Sequence, residues 1–226
     1  MKTATDGQPS ANGVALARLL SGIAVMAVLV YAYALRVAAE DGNPFDYFGY
    51  FTNQTSLIAS FVLMANGLGA LARRQTSEAM TLGRGIATAY LLVVALVYNV
   101  LVPGTGSAPP WVSFLLHVIF PLLVTLDWLL IGDRPPLRWR TLWVLLPYPL
   151  VWLTVVLIRG TTDGWVPYGF LLPERGLPSL ALHVVGILAT VGAAGVVVWA
   201  ASRFRGIHLR QAGFAGRRKK AASSEV

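Results

Sequence analysis

The chain has no cysteine, which removes structural disulfides, thiolate metal sites and cysteine nucleophiles from consideration. Histidine is nearly as scarce: three in 226 residues are too few and too scattered for a histidine-rich metal tract. Charged residues make up 12% of the chain against 56% hydrophobic, and the mean hydropathy of +0.63 exceeds what a soluble domain needs to bury a core. An integral membrane protein is therefore expected. No internal repeat of the transporter kind is visible, and no signal-peptide cleavage site follows the first apolar run, which reads as a retained helix.

What is present is a series of long apolar segments. They predict an all-α, polytopic six-transmembrane-helix bundle with spans at about 14–38, 47–72, 85–102, 111–131, 141–158 and 179–202. Residues 1–12, small and polar, are expected to be disordered. Residues 13–203 form the transmembrane domain, and 204–226 form a basic cytoplasmic tail. The net charge of +8 belongs to this topology rather than to nucleic acid. With both termini cytoplasmic, all but Arg36, Arg159 and Arg175 of the 18 Lys and Arg fall on the inner side, as the positive-inside rule requires. The basic tail, with Arg203, Arg205, Arg210, Arg217, Arg218 and Lys219, suits anionic headgroups. The expected location is the cell membrane and the expected partners are membrane lipids.

One stretch departs from a plain anchor. The second span opens Tyr50-Phe51-Thr52-Asn53-Gln54-Thr55-Ser56, hydroxyls and amides that need partners in hydrocarbon. Thr52 and Thr55 lie three apart and share a helix face. Further on, the third span ends Tyr98-Asn99, and the fourth holds His117, Pro121 and Asp127. Pro147-Tyr148-Pro149 should kink the fifth, Arg159 stands at its exit, and His183 begins the sixth. The segment 160–178, rich in Pro and Gly yet carrying Trp165, Tyr168 and Phe170, reads as a re-entrant or lid-like loop over the outer mouth.

Depth draws these residues together. At about 1.5 Å rise per residue, Thr52 lies roughly 8 Å below the outer surface, His117 roughly 10 Å, His183 roughly 6 Å and Asn99 roughly 5 Å. Each has an ordinary role open to it: Thr52 a bond to its own i−4 carbonyl, either histidine an interhelical hydrogen bond, Asn99 the same, Arg159 a snorkelling contact. Asp127 pairs with a loop arginine or faces water. Independent packing roles do not require one shared depth, and the coincidence is what favours a site.

The chain resembles a known family: small bacterial membrane proteins known as Pr6Pr, which look related to the eukaryotic androgen-induced transmembrane hydrolases. The resemblance rests on Tyr50-Phe51-Thr52-Asn53-Gln54, on Leu116-His117 with Pro121 and Asp127-Trp128-Leu129-Leu130, on Tyr148-Pro149 with Arg159-Gly160, and on Gly164-Trp165-Val166-Pro167-Tyr168-Gly169-Phe170. It implies a threonine–histidine dyad that cleaves lipid esters, particularly esters of hydroxylated fatty acids, with Thr52 as the threonine and His117 as the histidine. An imidazole that takes the hydroxyl proton makes threonine a competent nucleophile, and Asn53, Asn99 or a loop N–H would stabilise the oxyanion. Asn53, Thr55, Asn99, Arg159, Trp165, Tyr168 and His183 are the expected pocket residues. Neither a metal nor a cofactor is expected. Two other readings stand beside this one: a haem held by His117 and His183, and a non-catalytic binder or transporter of lipids or small molecules using the same polar layer.

Overall fold

A computed structural model describes residues 10–105, 108–204, 206, 207 and 209. The expected tail 1–12 falls mostly outside them, as does most of the basic tail 204–226. Among the described residues the fold is all-α, and six helices are long and apolar enough to cross a membrane: Ala11–Ala38, Phe51–Leu71, Glu78–Leu101, Pro110–Leu130, Trp139–Thr162 and Leu177–Ala201. This is a multi-pass membrane protein.

The helix ends differ from the expected spans for local reasons. Helix α1 (Ala11–Ala38) starts three residues early because the Ser10 hydroxyl caps it, accepting from the Gly13 N–H at 3.0 Å. The second expected span is divided. A short helix α2 (Pro44–Tyr47), capped by Asn43, is followed by a turn, and α3 (Phe51–Leu71) begins afresh after an extended Tyr50. Helix α4 (Glu78–Leu101) begins seven residues before the expected 85, since Ser77 caps the Met80 N–H at 3.1 Å. Arg84, just before the expected start of the third span, is consequently inside a helix.

The fourth span is composite: α5 (Pro110–Phe114), a π turn at Leu115–Ile119, and α6 (Phe120–Leu130). The fifth changes character where the prolines sit, from a 3-10 helix at Trp139–Leu145 to α7 (Pro147–Thr162), and it runs four residues past the expected end. Helix α8 (Leu177–Ala201) closes the bundle.

Central α4 packs against α3, α6 and α8. Its Tyr90 meets Phe51 and Tyr148 at 5.8 and 5.2 Å between ring centroids. Outward-facing Leu20, Val30, Leu122, Val151 and Leu182 are exposed, as lipid-facing positions are. Lipid supplies no hydrophobic drive between helices, so close backbone approach has to hold α1 to α3. A Cβ on Gly22 would lie 2.7 Å from the Ser60 carbonyl oxygen, and one on Gly67 would lie 2.6 Å from that of Ala15.

At the end of the bundle away from Thr52, four charges form a closed ring. Arg18 Nε meets Asp127 Oδ1 at 2.8 Å and its Nη1 pairs with Asp133. Arg84 reaches Asp127 at 2.8 Å and Asp133 at 2.9 Å. Arg18 also donates to Asn66 Oδ1 at 2.7 Å. Both arginines are almost wholly buried, at 3% and 2% exposure, and each aspartate bridges both. The partners of Asp127 are thus helical arginines, not a loop arginine or water. Burial works against the Asp133 charge, but Arg18 and Arg84 outweigh it and hold its carboxyl below the usual range. Neighbouring Arg134 lies 4.1 Å over the Trp128 ring, and burial, with Arg84 beside it, brings its guanidinium down to about 10.

Candidate functional site

The polar run that opens α3 separates into roles. Asn53 Nδ2 donates to the Tyr47 carbonyl at 2.7 Å and Gln54 Nε2 donates to that of Phe48, fastening the turn before the helix. Gln54 Oε1 accepts from the Tyr148 hydroxyl at 2.6 Å. Thr55, on the expected face, is spent on its own helix, donating to the Phe51 carbonyl at 2.8 Å. Thr52 differs from its neighbours: its Oγ1 lies 3.2 Å from Nε2 of His117.

His117 occupies the π turn of the fourth span, a helical irregularity that recurs at functional sites. Its Nδ1 is 2.8 Å from the Ser113 carbonyl oxygen. That oxygen can only accept, so Nδ1 carries the proton and Nε2 is left to accept from Thr52. The Tyr98 ring lies flat on the imidazole, with centroids 3.6 Å apart and planes at 15°. The Tyr98 hydroxyl shares a 2.9 Å hydrogen bond with Ser113 Oγ. Pro121 offers no N–H to the turn before it, and Asn99 Nδ2 comes within 3.4 Å of the His117 carbonyl while donating to Ala95 at 2.8 Å. Asn99 therefore serves the backbone that carries the histidine rather than the cavity.

Two chambers meet at this pair. The larger, about 300 Å³, reaches from Thr52 and His117 to an ion pair of Arg36 and Asp41, 2.5 Å apart. The smaller, about 40 Å³, is an apolar slot among Val93, Val97, Trp152, Phe170 and Ile187. Thr52, His117, Tyr98, Val102 and Tyr168 border both. Asn53 lines the larger chamber with its backbone-fastening amide.

Tyr168 arrives on the segment between α7 and α8, which folds over this end of the bundle as the lid-like reading expected. Its ring meets Tyr50 edge-on at 5.9 Å and stacks on Phe170 at 5.4 Å. Burial pushes its phenol up to about 12, while the Thr52 hydroxyl and the backbone amides of Thr52 and Phe51 pull the other way.

Five expected pocket residues line neither chamber: Thr55 and Asn99, which serve the backbone, and Arg159, Trp165 and His183. Arg159 is held by Asp46 at 2.7 Å and Asp163 at 2.8 Å, with its guanidinium 4.2 Å over the Trp165 ring. Arg159 and Trp165 border a separate cavity of about 650 Å³. Trp165 caps the start of α3 by lying across Gly49, where a Cβ would come within 2.2 Å of the indole. His183 donates from or accepts at no group of the site. Its Nδ1 faces the Ser179 carbonyl at 2.8 Å and its ring stacks on Phe170 at 5.4 Å, bordering neither chamber. His183 shared the expected depth of Thr52, and Arg159 and Trp165 stood at the mouth above it, but lateral packing separates all three from Thr52.

Sequence reasoning missed Ser113, Tyr98 and the Arg36–Asp41 pair as parts of the site. Ser113 stands one helical turn before His117, a spacing that was legible.

Comparison with protein-family models, with curated proteins and with solved structures finds no match.

Proposed function

We propose that the protein is a membrane-embedded hydrolase of lipid esters, with Thr52 as nucleophile and His117 as general base. The observation that carries this reading is the 3.2 Å approach of Thr52 Oγ1 to the unprotonated nitrogen of a histidine whose other nitrogen is pinned to Ser113, at the junction of two chambers. Thr52 Oγ bonds to the ester carbonyl carbon as its proton passes to His117 Nε2, and the carbonyl π pair moves onto oxygen. Collapse breaks the bond to the alcohol, which leaves with the histidine's proton. Water, deprotonated by the same nitrogen, adds to the acyl-threonine; the second collapse releases the acid and returns the proton to Thr52.

The predominantly apolar walls fit an acyl chain, and the Arg36–Asp41 pair fits a polar end. Membrane lipids, including hydroxy-fatty-acid esters, are the proposed substrates, in keeping with the resemblance to Pr6Pr and the androgen-induced hydrolases. The Lys and Arg distribution supports a cell-membrane orientation with cytoplasmic termini and a site near the outer leaflet. A fluorophosphonate probe tests the nucleophile on purified protein in detergent. Labelling of the wild type that disappears in Thr52→Ala is expected, and equal labelling of both removes Thr52 from the role.

A further inference from the structure

Resting on that reading, we propose that Tyr168 is a third catalytic residue, its phenol O–H donating to the oxygen that gains charge when Thr52 attacks an ester carbonyl. The side chains that sequence offered for this task are directed elsewhere: Asn53 Nδ2 donates to Tyr47 and Asn99 Nδ2 to Ala95. Of the five residues bordering both chambers, Val102 has no side-chain donor and Tyr98 gives its ring to His117 and its hydroxyl to Ser113. Tyr168 remains. An ester spanning the junction would meet both Thr52 and Tyr168, which border the two chambers together.

The phenol suits the task in two further ways. Held near 12, it keeps its proton through the neutral range and so is a donor whenever Thr52 is able to attack. Its ring is held by Tyr50, Phe170 and Trp152, the last at 6.1 Å, so the phenol is in place before substrate arrives and little reorganisation of the ring is needed. Tyr168→Phe keeps all three ring contacts and removes the donor alone.

The experiment follows p-nitrophenyl octanoate hydrolysis by the full chain in detergent, comparing wild type, Tyr168→Phe and Thr52→Ala, with thermal unfolding of each. The expected result for Tyr168→Phe is a fall in kcat of about 10²-fold with KM and Tm unchanged. Difluorotyrosine at 168, a more acidic phenol, should bring an alkaline loss of kcat down to a lower pH than in wild type. A Tyr168→Phe kcat within twofold of wild type, or a change confined to KM, overturns the proposal while leaving Thr52 and His117 in place. Hydrolysis unaffected by Thr52→Ala overturns the dyad, and the oxyanion assignment with it.

Discussion

His117 Nδ1–H donates a hydrogen bond to the Ser113 carbonyl at 2.8 Å, and Nε2 is thereby left to Thr52 as an acceptor. A backbone carbonyl one helical turn away does here what a carboxylate does in hydroxyl-nucleophile sites: it selects the tautomer and fixes the ring. Being neutral, it adds no negative charge beside the imidazole.

The first prediction concerns the dyad as a unit. Thr52→Ala and His117→Ala should each lower ester hydrolysis by about 10²- to 10⁴-fold, and the double variant should be no worse than the weaker single one. Multiplying losses in a double-mutant cycle on p-nitrophenyl octanoate would make the two residues independent. Because the base must be neutral, turnover should also fall on acidification as the imidazole takes a proton.

Tyr98 should matter through position. Tyr98→Leu removes the stacked ring and the hydroxyl on Ser113, and an aromatic contact of about 0.5–1.5 kcal/mol corresponds to a kcat loss of up to about tenfold. Tyr98→Phe, which keeps the stack, should recover most of it. Equal kcat in Tyr98→Leu and wild type would show that the ring does not orient His117.

The buried charge ring predicts stability, not turnover. Arg84→Met leaves Asp127 and Asp133 each short of one partner, and breaking a buried pair costs about 3–5 kcal/mol. A clear drop in Tm in detergent should result, larger than for Arg138→Met, whose pair with Glu78 is exposed. The native Asp133 carboxyl lies below its ordinary value of 3.8. Its stabilising contribution is therefore complete above that value and lost as pH falls through the lower native one. Tm of wild type measured from pH 6 down to pH 3 should decline more than that of Asp133→Asn.

Gly49→Ala should dislodge the segment between α7 and α8. The new methyl would sit 2.2 Å from Trp165 and 2.8 Å from the Phe45 carbonyl, and an overpacked site of this kind costs about 1–3 kcal/mol. Protease cutting within 163–176 should become faster than in wild type; an unchanged rate would mean that Trp165 does not fasten this segment.

Orientation is tested by a cysteine at exposed Glu174, in a chain that otherwise has none. Impermeant maleimide should label it in intact cells, and labelling only after lysis would invert the proposed topology.

Six spans and an all-α bundle were legible in the sequence because lipid leaves no other way to satisfy the backbone of long apolar runs. Thr52 and His117 stood out because polar groups at that depth need partners, and resemblance singled out the same two. The helix starts were less legible: Ser10 and Ser77 move α1 and α4 outward through single capping hydrogen bonds that hydropathy does not register. What depended on tertiary structure was lateral packing. Rise per residue puts His183 and Asn99 in the layer of Thr52, with Arg159 at the exit of its span, but packing sets His183 against Phe170, Arg159 against Asp46, and Asn99 against the backbone behind His117. The partners of Asp127 lie 109 and 43 positions away along the chain, a separation across which no local pattern carries information. Such pairings follow only from the way the bundle brings Arg18 of α1 and Arg84 of α4 to Asp127 of α6, where buried charges must find one another because lipid offers them nothing else.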